Sequence, residues 1–266
     1  MVRSPVKTTR YALTLEYDGS NFNGWQVQKG APSVQEALER VLSKIADQPV
    51  RVVCAGRTDT GVHATGQVVH FESSSERSTR AWFLGSNTLL PRGVAVLVVQ
   101  PVPGDFHARF SAIGRSYRYV IFNRPARPTY LRGRVTWVYR SLDVEKMKLA
   151  AGYLLGRHDF NAYRAMSCQS KQSVRELRQL NVQARGQWLW IDAEADGFLK
   201  HMVRNIIGVL LAVGAGEQEP WWSREVLESG KRQRGGVTAR PDGLYFSGAF
   251  YSDHYGLLMP PKCRFW

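Results

Sequence analysis

Asp59 stands in the segment Ala55-Gly-Arg-Thr-Asp-Thr-Gly-Val-His-Ala64, with a glycine three residues before it and another two after. Gly56 and Gly61 tolerate backbone conformations that bulkier residues resist, so they can present the intervening side chains from a tight loop at the edge of a sheet. In an extended stretch Arg57 and Asp59 would project to the same side. A carboxylate placed in this way can act as nucleophile or as general base. The same spacing also suits a turn in which Asp59 bonds nearby backbone N–H groups and does no chemistry.

Two further segments could serve such a carboxylate. Phe106 to Arg134 holds Arg109, Arg115, Arg118, Arg124, Arg127, Arg132 and Arg134 and no acidic residue, interleaved with Phe106, Phe110, Tyr117, Tyr119, Phe122 and Tyr130. Arginines bind phosphates and aromatic faces stack on unpaired bases, so the mixture suits RNA with exposed nucleotides. The other reading is a solvated basic strand pair whose aromatics fill a core, with Tyr117 and Tyr119 on one face and Arg118 on the other. In Phe198-Leu-Lys-His-Met-Val-Arg-Asn-Ile-Ile-Gly208, helical spacing puts His201, Arg204, Asn205 and Gly208 on one face and Met202, Ile206, Val209 and Val213 on another. An Arg204 buried there would need a carboxylate partner, for which Asp59 is a candidate; otherwise it reaches out to solvent. Lys231, Arg232 and Arg234 form a further basic cluster that reads as a mobile loop.

The surrounding sequence supplies elements to position these groups. Alternation at Tyr11, Leu13, Leu15 and Tyr17 predicts a strand ended by Asp18-Gly19-Ser20. Ser33 and Glu36 form a capping box ahead of Val34, Leu38, Val41, Leu42 and Ile45, a helix that breaks near Pro49. Strands at 51–55 and 67–71 frame the Asp59 loop, and 94–100 is another. Pro101-Val-Pro-Gly104 marks the boundary between an N-terminal half, 1–104, and a C-terminal half, 105–266. The second half has strands at 115–122, 188–195 and 243–251 and a helix around Met147, Ala150, Ala151 and Leu154. Strands interleaved with a few helices, without regular alternation, predict an α+β fold with a largely antiparallel sheet and a faint internal duplication.

Composition narrows the function classes. The 266 residues suffice for a core without staples, and 36 Lys and Arg against 22 Asp and Glu leave a formal charge of +14, which points to a polyanionic partner. Cys54, Cys168 and Cys263 are far apart and odd in number, so neither a disulfide framework nor a cysteine metal site is indicated, and a reducing cytosol fits. The first ten residues lack the apolar core of a secretory signal, and the longest apolar stretch, 206–213, is too short to cross a bilayer. A soluble, cytoplasmic protein is expected. The histidines show no ligand spacing, and neither a P-loop nor a GxGxxG sequence occurs, so no metal and no nucleotide cofactor is implied.

Taken in order, Tyr17-Asp-Gly-Ser20 with Gly24-Trp-Gln26, Gly56-Arg-Thr-Asp59 with Gly61-Val-His63, Asp105-Phe-His-Ala-Arg-Phe110, Tyr117-Arg-Tyr119, His201-Met-Val-Arg-Asn205 and Gly243-Leu-Tyr245 resemble the tRNA pseudouridine synthase A family. The resemblance runs over nearly the whole chain. It implies the pseudouridine synthase fold, two ferredoxin-like α+β halves sharing a mostly antiparallel sheet with the active cleft between them. It also implies cofactor-free isomerisation of uridine to pseudouridine at positions 38, 39 and 40 of the tRNA anticodon arm, by a homodimer that grips each tRNA with both subunits.

By position, Asp59 would be the catalytic aspartate, Arg57 would assist extrusion of the target nucleotide, and Tyr117 would stack on the flipped uracil. Arg204 would pair with Asp59, Phe198 and Leu244 would line the pocket and exclude water, and Arg118 would contact the RNA. The base is flipped because its reacting atoms are out of reach within a stem. Thr60, Lys200 and Phe246 depart from the residues usual in the family, and none removes a group the reaction needs. Two other functions remain open from residues alone: a non-catalytic RNA-binding protein in which Asp59 is a turn residue, and a metal-dependent nuclease with Asp18 or Asp196 as additional ligands.

Overall fold

The computed structural model describes residues 8–258. The first seven residues and Cys263, which entered the readings of targeting and cysteine usage, lie outside them. By compactness the chain forms two units, one running to Ile113 and taking up the chain again at Phe246, the other spanning Gly114–Tyr245. Each is α+β. The sequence reading divides the chain after Gly104 instead. Residues 105–113 stay with the first unit because the Phe106 carbonyl accepts from Arg10 Nη1 at 2.7 Å and the Ala108 N–H donates to His70 Nδ1 at 3.1 Å. The Ile113 N–H donates to the Phe250 carbonyl at 2.9 Å, so the last strand belongs largely there too.

In the first unit the elements are β1 (Thr9–Tyr17), α1 (Val34–Ala46), β2 (Val53–Cys54), β3 (His63–Ser73), α2 (Thr79–Leu89) and β4 (Val94–Pro101). β1 lies antiparallel between β3 and β4, and the short β2 pairs with β3. Tyr11 of β1, Phe71 of β3 and Trp82 of α2 form one aromatic cluster, with centroids 5.0 to 5.7 Å apart. α1 begins as the capping pattern predicts: Ser33 Oγ accepts from the Glu36 N–H. It ends at Asp47, which takes the left-handed conformation with φ 54°. α2, which the sequence reading lacks, buries only Trp82 and Ser86 and carries Gly85 in its middle, so it has no apolar stripe to announce it.

The second unit holds β5 (Gly114–Asn123), β6 (Thr136–Val138), α3 (Val144–Gly152), β7 (Gly156–Asp159), β8 (Val174–Arg185), β9 (Trp188–Ala195), α4 (Met202–Gly214) and α5 (Trp222–Ser229). Its strand order is β5-β9-β8-β7, antiparallel throughout, with β6 added parallel to β5. β9 matches the sequence prediction to the residue. β8 is absent from that prediction because a register shift between Leu177 and Gln179 sets the buried Leu177 and Leu180 three positions apart rather than two. α3 and α4 approach so closely that a Cβ on Gly214 would lie 2.7 Å from Met147 Sδ. β10 (Leu244–Phe250) is the last strand; Leu244 and Tyr245 group with the second unit and Phe246 onward with the first.

One buried carboxylate ties α1 to the approach to β2. Glu39 is 6% exposed and accepts from Gln35 Nε2 at 2.9 Å, Arg51 Nη1 at 2.7 Å and the Val52 N–H at 3.1 Å. A buried amide left without its acceptor bears the full desolvation cost. Glu39→Ala should therefore lower unfolding stability by about 2 kcal/mol, read as a lower urea midpoint at unchanged slope.

Candidate active site

The Asp59 loop leaves β2 and enters β3, and its geometry starts from Thr58. Thr58 is buried, its hydroxyl 2.8 Å from the buried Tyr17 hydroxyl at the end of β1. Gln67 Nε2 on β3 donates to the Gly56 carbonyl at 2.7 Å and reaches the Tyr17 oxygen at 3.4 Å. Burial holds the Tyr17 phenol above its ordinary range, so at neutral pH it is a neutral hydroxyl able to donate and accept. With Thr58 turned inward, its neighbours face the other way: Arg57 is exposed and Asp59 half-buried.

Backbone bonds fix the loop on both sides of the carboxylate. The Trp25 N–H donates to the Thr58 carbonyl at 3.0 Å, and the Val62 N–H to the Asp59 carbonyl at 3.1 Å. Trp25 and Gly24 are held in turn by α1, whose Gln35 and Val34 N–H groups donate to their carbonyls at 3.0 and 3.3 Å. These are N–H groups that a helix start leaves without intrahelical partners. Gly24 has φ +87°, and a Cβ there would lie 2.7 Å from the Thr58 oxygen. On the far side Gly61 takes φ 77°, and a Cβ on Gly19 would lie 2.1 Å from the Val62 carbonyl oxygen. The buried His63 accepts the Gly19 N–H on Nδ1 at 3.1 Å. The Tyr-Asp-Gly-Ser and Gly-Trp-Gln motifs thus act as a clamp on the loop. Sequence reasoning marks them as family features without finding this role, because no periodicity links positions 17, 24 and 67 to 58.

Nearby Cys54 is a buried thiol held up to about 12, chiefly by burial, against the opposing influence of Arg57 and Arg109. At neutral pH it is no nucleophile. Among the described residues no cluster of three or more His, Cys, Asp and Glu could hold a metal ion. Nor is any described helix long and apolar enough to cross a membrane.

The second unit carries the remaining predicted residues. Tyr117 on β5 meets Phe198 edge-on, with centroids 5.1 Å apart and planes at 85°. Tyr119 does not share its situation: it is fully buried, its hydroxyl 2.6 Å from Thr136 Oγ1 and donating to the Arg240 carbonyl at 2.9 Å. Arg118 sits opposite Asp192 on β9, and its Nε and Nη2 meet the two carboxylate oxygens at 2.7 and 2.8 Å. Two of its donors are thus engaged by the neighbouring strand. Leu244 is 4% exposed. Gly243 before it packs where a Cβ would lie 2.3 Å from the Val120 oxygen.

His201 departs from its predicted place on the helix face. It is the residue before α4, left-handed at φ 61°, and its carbonyl accepts from the Asn205 N–H at 2.9 Å. Arg204, Asn205 and Gly208 keep their common face, against residues 232–239. Arg204 Nε donates to the Ala239 carbonyl at 2.8 Å and the Ala239 N–H returns to the Arg204 carbonyl at 3.0 Å. Arg232 Nη2 reaches Asn205 Oδ1 at 3.1 Å, the Gly236 carbonyl at 2.9 Å and Thr238 Oγ1 at 2.9 Å. Gly208 permits the approach, since its Cβ would lie 1.9 Å from the Val237 oxygen. The cluster at 231–234, read from sequence as a mobile loop, is instead a pinned segment. Its arginine spacing alone does not tell a hydrogen-bonding anchor from a solvated cation.

Asp59 thus stands on a clamped loop of the first unit, while Tyr117, Phe198 and Arg204 belong to the second. The model of the tRNA pseudouridine synthase family matches residues 14–111 and 150–252, and the chain belongs to that family. It is 55% identical over 248 residues to the tRNA pseudouridine synthase A of Nitrosococcus oceani, covering 93% of this chain and 96% of that one. The relative from Pseudomonas aeruginosa is 50% identical over 250 residues, covering 94% and 88%. That from Vibrio cholerae serotype O1 is 51% identical over 252, covering 95% and 96%.

Gly24→Ala should retain the fold and lower kcat about tenfold or more, because a misplaced reacting group is costly even when shifted by an ångström. Arg232→Ala should lower kcat through Arg204 with a smaller effect on KM. Circular dichroism and steady-state turnover on unmodified tRNA measure both.

Proposed function

We propose that this chain isomerises uridine to pseudouridine in tRNA, at nucleotides 38, 39 and 40 of the anticodon arm, with Asp59 as the nucleophile. The observation that carries the reading is the placement of Asp59. It is half-buried on a loop whose backbone is bonded immediately before it, at Thr58, and at its own carbonyl. A group held this way needs little reorganisation on the way to the transition state.

The target nucleotide lies in or beside a stem, so it leaves the stack before reacting, and Tyr117 receives the uracil face with Phe198 set edge-on behind it. Arg57, exposed on the same loop, enters the space the base leaves. Arg204 pairs with Asp59 before and after the covalent step, and Leu244 keeps water from the detached base. The N1–C1′ bond is exchanged for a C5–C1′ bond, C5 gives up a proton and N1 takes one. Nothing is oxidised and no group is transferred to a second molecule, so the sequence of events calls for no cofactor. Attack on C6 of the uracil and attack on C1′ of the ribose both use the same carboxylate. Arg118, half committed to Asp192, has donors left for a phosphate. The protein works in the cytoplasm as a homodimer in which both copies hold one tRNA.

Asp59→Asn keeps the shape of the side chain and removes the nucleophile. Pseudouridine mapped at nucleotide resolution should fall by about 10³-fold or more while tRNA binding stays within a few-fold of wild type. Unchanged product would rule out Asp59 as the nucleophile.

A further inference from the structure

Phe110 is 76% exposed, yet it stands on a tightly bound turn. Phe106 is fully buried against Tyr251 and Tyr255, with centroids at 5.1 and 5.2 Å. The Ala108 carbonyl accepts the Tyr251 hydroxyl at 2.6 Å. His107 donates its N–H to Ser111 Oγ at 3.0 Å, and the Ser111 N–H returns to the His107 carbonyl at 2.9 Å. The His107 ring is fixed as well, because its Nδ1 accepts the N–H groups of Arg109 and Phe110 at 3.2 and 3.1 Å. Phe110 stacks on that ring with centroids 4.4 Å apart and planes 25° off parallel. The Arg109 guanidinium lies 5.4 Å from the Phe110 centroid. Exposure of the ring therefore has nothing to do with slack in the chain, and it adds little buried area to the fold.

We propose that Phe110, backed by His107 and flanked by Arg109, is a stacking platform for an unpaired nucleobase of the tRNA other than the one being isomerised. This rests on the tRNA reading above and adds a second point of base contact to it. An aromatic face accepts any base, and a neighbouring guanidinium attracts the phosphate that follows. Burial, with Arg10 and Arg109 nearby, holds His107 below its ordinary range, so its ring stays neutral beneath Phe110 at neutral pH. The Ala108 N–H is bonded to His70 of β3, whose register partner Val53 lies in β2, the strand that leads into the Asp59 loop. A second copy of this chain is the other candidate occupant, and the charge of +14 together with Arg109 favours a polyanion over another cation.

The test compares Phe110→Ala and Phe110→Trp with wild type in the full chain, using unmodified tRNA. Phe110→Ala should weaken tRNA binding about tenfold and raise KM accordingly, with an unchanged melting temperature and an unchanged dependence of log Kd on log salt. Phe110→Trp should restore binding. Arg109→Gln should instead flatten that salt dependence by about one unit of slope. Wild-type affinity in Phe110→Ala would overturn the proposal, as would a change in sedimentation mass, which would assign the ring to an interface between copies. Wild-type protein that binds tRNA through Phe110 and makes no pseudouridine would overturn the catalytic reading and leave this one standing.

Discussion

The hydrogen bond from the Trp25 N–H to the Thr58 carbonyl, made across a glycine that can carry no side chain, is the constraint on which the position of the Asp59 loop depends. It joins two stretches of chain more than thirty residues apart immediately before Asp59. Everything near it reinforces the same position. The start of α1 lends backbone donors to Gly24 and Trp25, the Tyr17 hydroxyl meets Thr58 from within, and Gln67 holds the Gly56 carbonyl. A helix start, a strand end and a strand interior are thereby spent on one loop. The loop itself is free of regular structure, and its precision comes from the rigid elements around it.

The second unit solves a different problem, which is how to carry an arginine at a half-buried helix start. α4 is mostly apolar, and its polar face would be costly without partners. The partners come from residues 232–239, bonded to Arg204 through its side chain and backbone and to Asn205 through Arg232 and Thr238. Gly208 and Gly236 let that segment lie directly on the helix, the Gly236 Cβ position being 3.0 Å from the Gly208 oxygen. The result is a cationic group held both at its guanidinium Nε and at its backbone carbonyl.

The arginines from 109 to 134 do not form a uniform basic surface. Arg118 is committed to Asp192 and Arg115 donates to the Asp196 carbonyl at 3.1 Å. Arg124 lies over the Phe122 ring at 4.6 Å. Phe106, Tyr119 and Phe122 are core residues, whereas Phe110 and Tyr130 are exposed. The core reading therefore holds for Phe106, Tyr119 and Phe122 but not for Phe110 and Tyr130, and several of the arginines have partners within the chain. Burial separates the two groups of aromatics, and burial is a property of the packed unit.

By itself the sequence determined the elements whose signal is local. β9 alternates cleanly, α1 announces its start with Ser33 and Glu36, and the glycines around Asp59 mark a tight loop. The ordered motifs also determined the family. Only tertiary structure decided what those motifs do: that Tyr17, Gly24 and Gln67 converge on Thr58, that His201 sits left-handed ahead of α4, and that Arg232 is an anchor. It likewise decided α2, with no apolar stripe, and β8, whose bulge breaks the alternation. The physical reason is the range of the forces involved. Capping, turn preference and pleat alternation act between residues a few positions apart and leave a trace in the chain, while a hydrogen bond across forty positions leaves none until the backbone has folded.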